Sequence, residues 1–469
     1  MPTSIGSREA GLHKDLTQAQ AIMISLGGSI GTSLFLSSGI AIGYAGPAVL
    51  VSYAIAGLIA VAMVFSLSEM AVLHPTAGSF GTYAEIYLNR WAGFVVRYTY
   101  WFAQVIATGF EAVAAGIYMT HWFPGSRVWL WSLGFALLVI VLNARSVGHF
   151  GTAEYWLAFI KVTAIILFIA IGLARILGIG AEPINLGNFY ALPGGFFPHG
   201  AHGVWMAVLI GVLSFVGVEM VAVTSGELPN PETAIPAALR TMAIRLLLFY
   251  VLALAIVVAV IPWTQTGGSV TVAQSPFVKV LALSGIPYAA GIMNFVIVSA
   301  ALSGMNANIY LCSRMLFSLA RGGYAPAALG QLRTDGAPHI AVVASGACIL
   351  VATTLARVTP RAYAYLQGVA LFGAITVWII ILVSHLSFRR MHRRGDLPVT
   401  TPLFPAIQFV GLGLLVAILL SMGLDADWNT SLMVGLPWLG LLSVAYVLWR
   451  RHRRSDVVTN VLEDVSTHD

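Results

Sequence analysis

Twelve apolar runs follow one another through this chain, each bounded by polar residues or by glycine and proline. They cover about 21–42, 48–73, 92–119, 128–143, 156–177, 203–224, 242–261, 286–316, 340–356, 364–387, 405–423 and 432–449. A helix crossing a bilayer needs about 20 apolar residues, and hydrocarbon tolerates only segments that satisfy their own backbone hydrogen bonds. Runs of this length and number therefore read as an all-α polytopic membrane protein with 12 transmembrane helices. Composition agrees: 58% of the 469 residues are hydrophobic and 9% are charged, against about a quarter charged in soluble domains. The eighth run exceeds one straight span, so its end at Arg314–Ala320 is expected to emerge into water.

The basic residues orient the chain. With the N-terminus inside, eighteen Lys and Arg fall on inner loops and inner helix ends, five on the outer side, and Lys161 within a helix. The expected location is the cytoplasmic (inner) membrane, multi-pass, with both termini cytoplasmic. The clusters at 389–394 and 450–454 set topology and face anionic lipid, which removes the case for nucleic acid as a partner. Cys312 and Cys348 lie in apolar runs and imply neither a disulfide framework nor a metal site. No cofactor is implied, and short loops with scattered histidines offer no nucleophile–base constellation, so the chain does not read as an enzyme.

Two of the runs are interrupted. The first contains Ser25-Leu26-Gly27-Gly28-Ser29-Ile30-Gly31-Thr32-Ser33, and the sixth contains Gly211-Val212-Leu213-Ser214-Phe215-Val216-Gly217-Val218-Glu219. Glycines weaken a helix where an anchor would carry Leu or Ala. An unwound stretch exposes carbonyls, which favour a cation, and the N–H groups of a restarting helix, which favour an anion; a zwitterion supplies both. The alternative is that small residues only allow a neighbouring helix to approach. Each interruption opens a set of five spans, an odd number, so the second set sits upside down relative to the first. Interrupted segments at corresponding positions of two such halves point to a transporter binding site. The expected organisation is a cytoplasmic tail (1–20), a first five-helix repeat (21–177), a second, inverted repeat (203–387), accessory helices 11 and 12 (405–449), and a C-terminal tail (450–469). Helices 1 and 6 are discontinuous in this five-plus-five inverted repeat.

Charges inside spans need a reason, since each costs roughly 2.5–3.5 kcal/mol at mid-bilayer on insertion scales. Glu111 in the third span reads either as a carboxylate facing a cavity or as a structural hydrogen-bonding group. Lys161 in the fifth either snorkels to the inner surface or occupies the space of a coupling sodium ion. Glu219, just past Gly217, is a proton carrier or a cap for the restarting helix. Glu227, beside Pro229-Asn230-Pro231, suggests gating or capping, and Glu69 reads as interfacial. In the eighth span Ser299, Ser303 and Asn306 share a face and either bond to neighbouring helices or line the polar site.

Taken together these stretches resemble the amino acid transporter family, bacterial and fungal amino acid permeases within the amino acid–polyamine–organocation superfamily. The resemblance runs from Leu12 to about Arg454. It rests on Leu26–Phe35, Gly78-Ser79-Phe80, Glu154-Tyr155-Trp156 with Lys161, Ser214–Glu219, Gly226-Glu227 with Asn230-Pro231, Ser313–Ala320, and Trp378 with Ser384-His385. It implies import of an amino acid, usually with protons. By that analogy N–H groups at Gly31, Thr32 and Ser33 hold the substrate carboxylate. Backbone carbonyls of Ser29, Leu213 and Val216 hold its amine, and Gly27, Gly28, Ile30, Phe215 and Gly217 surround it. Lys161 matches a lysine that replaces sodium, and Glu111 a carboxylate near the pocket. Ser33 stands where the family pattern has Gly, and Leu213 where many relatives have an aromatic gate.

The functional expectation is a secondary active amino acid importer working by proton symport and alternating access. The alternatives are a transporter or exchanger of polyamines or other organic cations, and a membrane amino-acid sensor or channel. Side-chain specificity and oligomeric state are not set by the sequence.

Overall fold

In the computed structural model the apolar runs are helices. The structure describes residues 20, 23, 28–76, 78–144, 147–179, 183–184, 186–224, 231–266, 275–334, 336–425 and 428–452. Gly27 and Glu227 lie outside these. In the first run Gly28 and Ser29 are helical, the chain breaks at Ile30–Gly31 and helix restarts at Thr32. It continues as a π-helical turn, Ser33–Ser37, before α1 (Ser38–Ala45). A tight turn at Gly46–Ala48, with Gly46 at φ +58, leads into α2 (Val49–Leu73).

The order then runs α3 (Ser79–Tyr87), α4 (Arg90–Trp122), α5 (Val128–Asn143) and α6 (Val147–Ile176). Asn89 starts α4 because its side-chain oxygen accepts the Ala92 N–H at 2.9 Å, satisfying one donor of the first turn. The sixth run is α7 (Gly200–Phe215), an irregular stretch, and the short α8 (Met220–Thr224). After it come α9 (Pro231–Val260), α10 (Pro276–Leu283), α11 (Ala289–Arg321), α12 (His339–Val358) and α13 (Ala362–Met391). The last helices are α14 (Ala406–Leu424) and α15 (Asn429–His452).

Among the described residues eight helical stretches are long and apolar enough to cross a membrane, and three apolar helices are shorter: Val128–Asn143, Gly200–Phe215 and Leu247–Val260. The protein is thus an all-α, multi-pass membrane protein. α4 and α11, each 33 residues and so about 50 Å long, pack against each other at the centre, and α13 packs on α4. α14 and α15 lie outside and present Leu420, Leu424, Met433 and Leu441 outward. Apolar residues on that scale suit a face toward lipid.

Two expectations are corrected. Arg314–Ala320 does not emerge into water: the whole stretch is buried, with the Arg314 guanidinium 3.7 Å above the Tyr310 ring. Cation–π stacking and a hydrogen bond to Ser313 Oγ at 2.9 Å hold that charge within protein. Glu69 is not interfacial but buried, bonded to His385 Nε2 at 2.7 Å, to Arg389 at 3.2 Å and to the Thr401 N–H. Residues far along the chain fold back over it, which the local sequence does not foretell.

Candidate functional site

The two interruptions touch. The sixth-run helix stays intact through Gly211, where a Cβ would lie 2.9 Å from the Ala56 Cβ. The break comes at Val216, extended with ψ 137, and Gly217 at φ +106. A Cβ at Gly217 would lie 2.7 Å from Gly28 O and 3.2 Å from Ser29 Cα. Only glycine permits both that backbone conformation and that approach.

Each break is held by hydrogen bonds. At the first, Lys161 Nζ donates to Ile30 O at 2.8 Å, and the Thr32 N–H points at Glu111, 3.2 and 3.4 Å from its two oxygens. Lys161 is fully buried, so it does not snorkel. Glu154 and Glu111 are both within electrostatic reach of it. Glu154 in turn accepts from Ser303 Oγ and from Asn306 Nδ2 at 2.9 Å, and Asn143 Nδ2 donates to Asn306 Oδ1 at 2.8 Å. At the second break, Gly217 N–H donates to both Glu219 oxygens at 3.2 and 3.1 Å. Tyr100 OH and Trp378 Nε1 donate to the same carboxylate at 3.2 and 3.3 Å. Tyr250 OH lies 2.7 Å from Ser29 O and 2.8 Å from Ser214 O; one hydroxyl proton is shared between the carbonyls of both breaks.

A small, partly open cavity lies beside these breaks. Gly28, Ser29, Gly31 and Ser33 line it from the first break, and Leu213, Val216 and Gly217 from the second. Gln104, Phe110 and Glu111 close one side, Gly304 and Asn308 another, Ala370 and Ala374 a third. Several expected residues lie behind this lining. Phe215 packs edge-on against Tyr250, ring centroids 5.0 Å apart, and Ser299 Oγ bonds Val296 O. Ser303 and Asn306 serve Glu154, while Ile30, Thr32, Lys161 and Glu219 support the breaks from behind. Among the described residues no three His, Cys, Asp or Glu side chains group as a metal site would.

The cavity thus has a wall of loose backbone and few reactive side chains, which suits recognition and passage of a small polar solute. The profile of a family described as "Amino acid permease" matches residues 20–458. The chain belongs to that family. It is 38% identical over 442 residues to the amino acid permease YtnA of Bacillus subtilis (strain 168), covering 93% of this chain and 94% of that one. It is 36% identical over 454 residues to the γ-aminobutyric acid permease of the same organism, with 96% of each chain covered. To the amino-acid permease RocC, also of that organism, identity is 37% over 442 residues, covering 91% and 92%. The chain is therefore a permease of the amino acid–polyamine–organocation superfamily and not an enzyme.

Three features of this permease site, the Gln104 face beside Glu111, Glu154 as partner of the Lys161 network, and Tyr250, have signals in the sequence that the expectations above do not use. Gln104, Ala107 and Glu111 are three and four apart and so share one helix face, as do Ala370 and Ala374. Glu154 sits seven residues before Lys161, two turns along the same face, where a buried ammonium needs a counter-charge. Tyr250, a lone hydroxyl deep in an apolar run, needs a partner when buried.

Proposed function

We propose that this permease imports an amino acid by proton symport and alternating access, with the zwitterion held between the two breaks. The observation that carries the reading is the contact of Gly217 with Gly28 and Ser29 beside the cavity. It brings helix-start N–H groups (Gly31, Thr32, Ser33) and break carbonyls (Ser29, Leu213, Val216) to one place, one end for a carboxylate and the other for an ammonium.

The element order supports the proposed five-plus-five inverted repeat. A broken helix followed by a long helix, a helix of 9 or 8 residues and a 33-residue helix recurs, the latter three as α2–α4 and as α9–α11. Counting Ser33–Leu73 as two spans folded at Gly46, and adding the three shorter apolar helices, supports twelve spans. The proposed units are 21–177, 203–387 and the accessory pair 405–449, between inner tails 1–20 and 450–469. The excess of Lys and Arg on one side supports both termini facing the cytoplasm.

Lys161 places an ammonium against the Ile30 carbonyl, where a sodium ion would otherwise bind, so we assign coupling to protons rather than sodium. Of the buried acids, Glu111 lines the cavity while Glu219 does not. We place the travelling proton on Glu111 and give Glu219 the role of clamp. The same carboxylate favours one second reading, an organic cation such as a polyamine pairing with Glu111. Proteoliposome uptake separates them. A labelled amino acid should accumulate under an inward pH gradient without sodium, and its methyl ester and N-acetyl derivative should not compete. Competition by the ester equal to that of the parent acid would overturn the carboxylate assignment.

A further inference from the structure

One of the N–H groups assigned to the substrate carboxylate, that of Thr32, already has a carboxylate. Glu111 lies on α4, and its side chain reaches across to the restart of the first helix, both oxygens within 3.4 Å of Thr32 N. Two glycines make room for it. A Cβ at Gly31 would stand 2.5 Å from Glu111 Oε1, and one at Gly304 on α11 would stand 3.3 Å from Glu111 Cδ. The carboxylate therefore fills a slot walled by two helices, at the wall of the cavity. Thr32 Oγ1 is buried beside it without a hydrogen bond of normal geometry, a second polar atom that a carboxylate with two accepting oxygens can satisfy.

We propose that Glu111 is a tethered stand-in for the substrate carboxylate, holding the Thr32 N–H and the Gly31–Gly304 slot until an incoming amino acid displaces it. The inference rests on the carboxylate reading above. Two carboxylates cannot share one N–H donor at close range, because like charges repel and only one proton is offered. Binding of the acid then includes the work of moving Glu111 away, whereas binding of the matching amine, which lacks the carboxylate, does not. Neutralising Glu111 leaves Lys161 with Glu154 as its counter-charge, so the Glu111→Gln variant does not strand an ammonium.

The test compares, in nanodiscs, the amino acid that competes best for uptake with its decarboxylated amine, on wild type, Glu111→Gln and Glu111→Asp. Asp keeps the charge one methylene further from Thr32 N and guards against a Gln variant that fails to fold. The expected result is acid binding about tenfold tighter in both variants, the scale of one charged hydrogen bond freed, with amine binding no tighter. A third variant, Glu111→Ala, should gain thermal stability in acetate, a bare carboxylate able to enter the slot, where wild type gains none. Equal acid affinity in wild type and both variants, with the acid still preferred to the amine, would overturn the inference and leave the carboxylate site standing. Amine and acid binding wild type equally well would remove the carboxylate site and the inference with it.

Discussion

The two interrupted helices meet at Gly28 and Gly217 but are held by different means. The second break is stapled locally: Glu219 turns back on the N–H of Gly217, two residues away, and Tyr100 and Trp378 saturate the remaining positions of the carboxylate. Among the described residues, the hydrogen bonds seen at the first break come from other helices. Its carbonyls and N–H are held by Lys161 from α6, Tyr250 from α9 and Glu111 from α4. The second break also takes donors from α4, α9 and α13, but its Glu219–Gly217 cap stays within its own run and can travel with it. A break held by three other helices changes its partners when any of those helices shifts, which is what alternating access needs of a site.

The sharpest way to break this comparison is Gly217→Ala. Its φ of +106 and the 2.7 Å approach to Gly28 O leave no place for a methyl group, and the expected loss is more than about 3 kcal/mol. Detergent thermal melts should show little folded protein; a stable, transporting Ala variant would mean the breaks do not need to touch.

Glu219→Gln tests the staple. The amide keeps one accepting oxygen but turns an NH2 toward donors, so a stability loss of about 2 kcal/mol is expected. Accumulation driven by a pH gradient should survive in the folded fraction. Loss of gradient-driven uptake with exchange intact would move the proton from Glu111 to Glu219.

The smallest change, Tyr250→Phe, removes the one hydroxyl shared by both breaks. It should lower stability by about 1 kcal/mol and leave the Gly217 contact in place. A loss as large as that of Gly217→Ala would make the shared proton, rather than glycine contact, the main tie between the two helices.

Much of this was legible from the chain alone, and for physical reasons. Hydrocarbon demands apolar length and self-satisfied backbone, both of which are read one residue after another. The spans, the glycine-weakened runs and the lone charges Glu111 and Lys161 follow from that. Within the sixth run the sequence does not tell its two glycines apart: Gly211 sits inside the intact helix and Gly217 takes φ +106, and nothing local distinguishes a glycine needed for conformation from one needed for contact.

The chain alone shows a membrane protein, the apolar runs that become its long helices, and which two of those runs break, but not the short helices Ser79–Tyr87 and Pro276–Leu283 between runs. The tertiary structure alone decided that Thr32 N–H faces Glu111, that Tyr250 bridges Ser29 and Ser214, and that Gly304 makes room for a carboxylate. These pairs lie far apart along the chain. What joins them is the angle and register at which long helices cross, set by the packing of side chains over whole faces. No single residue carries that information.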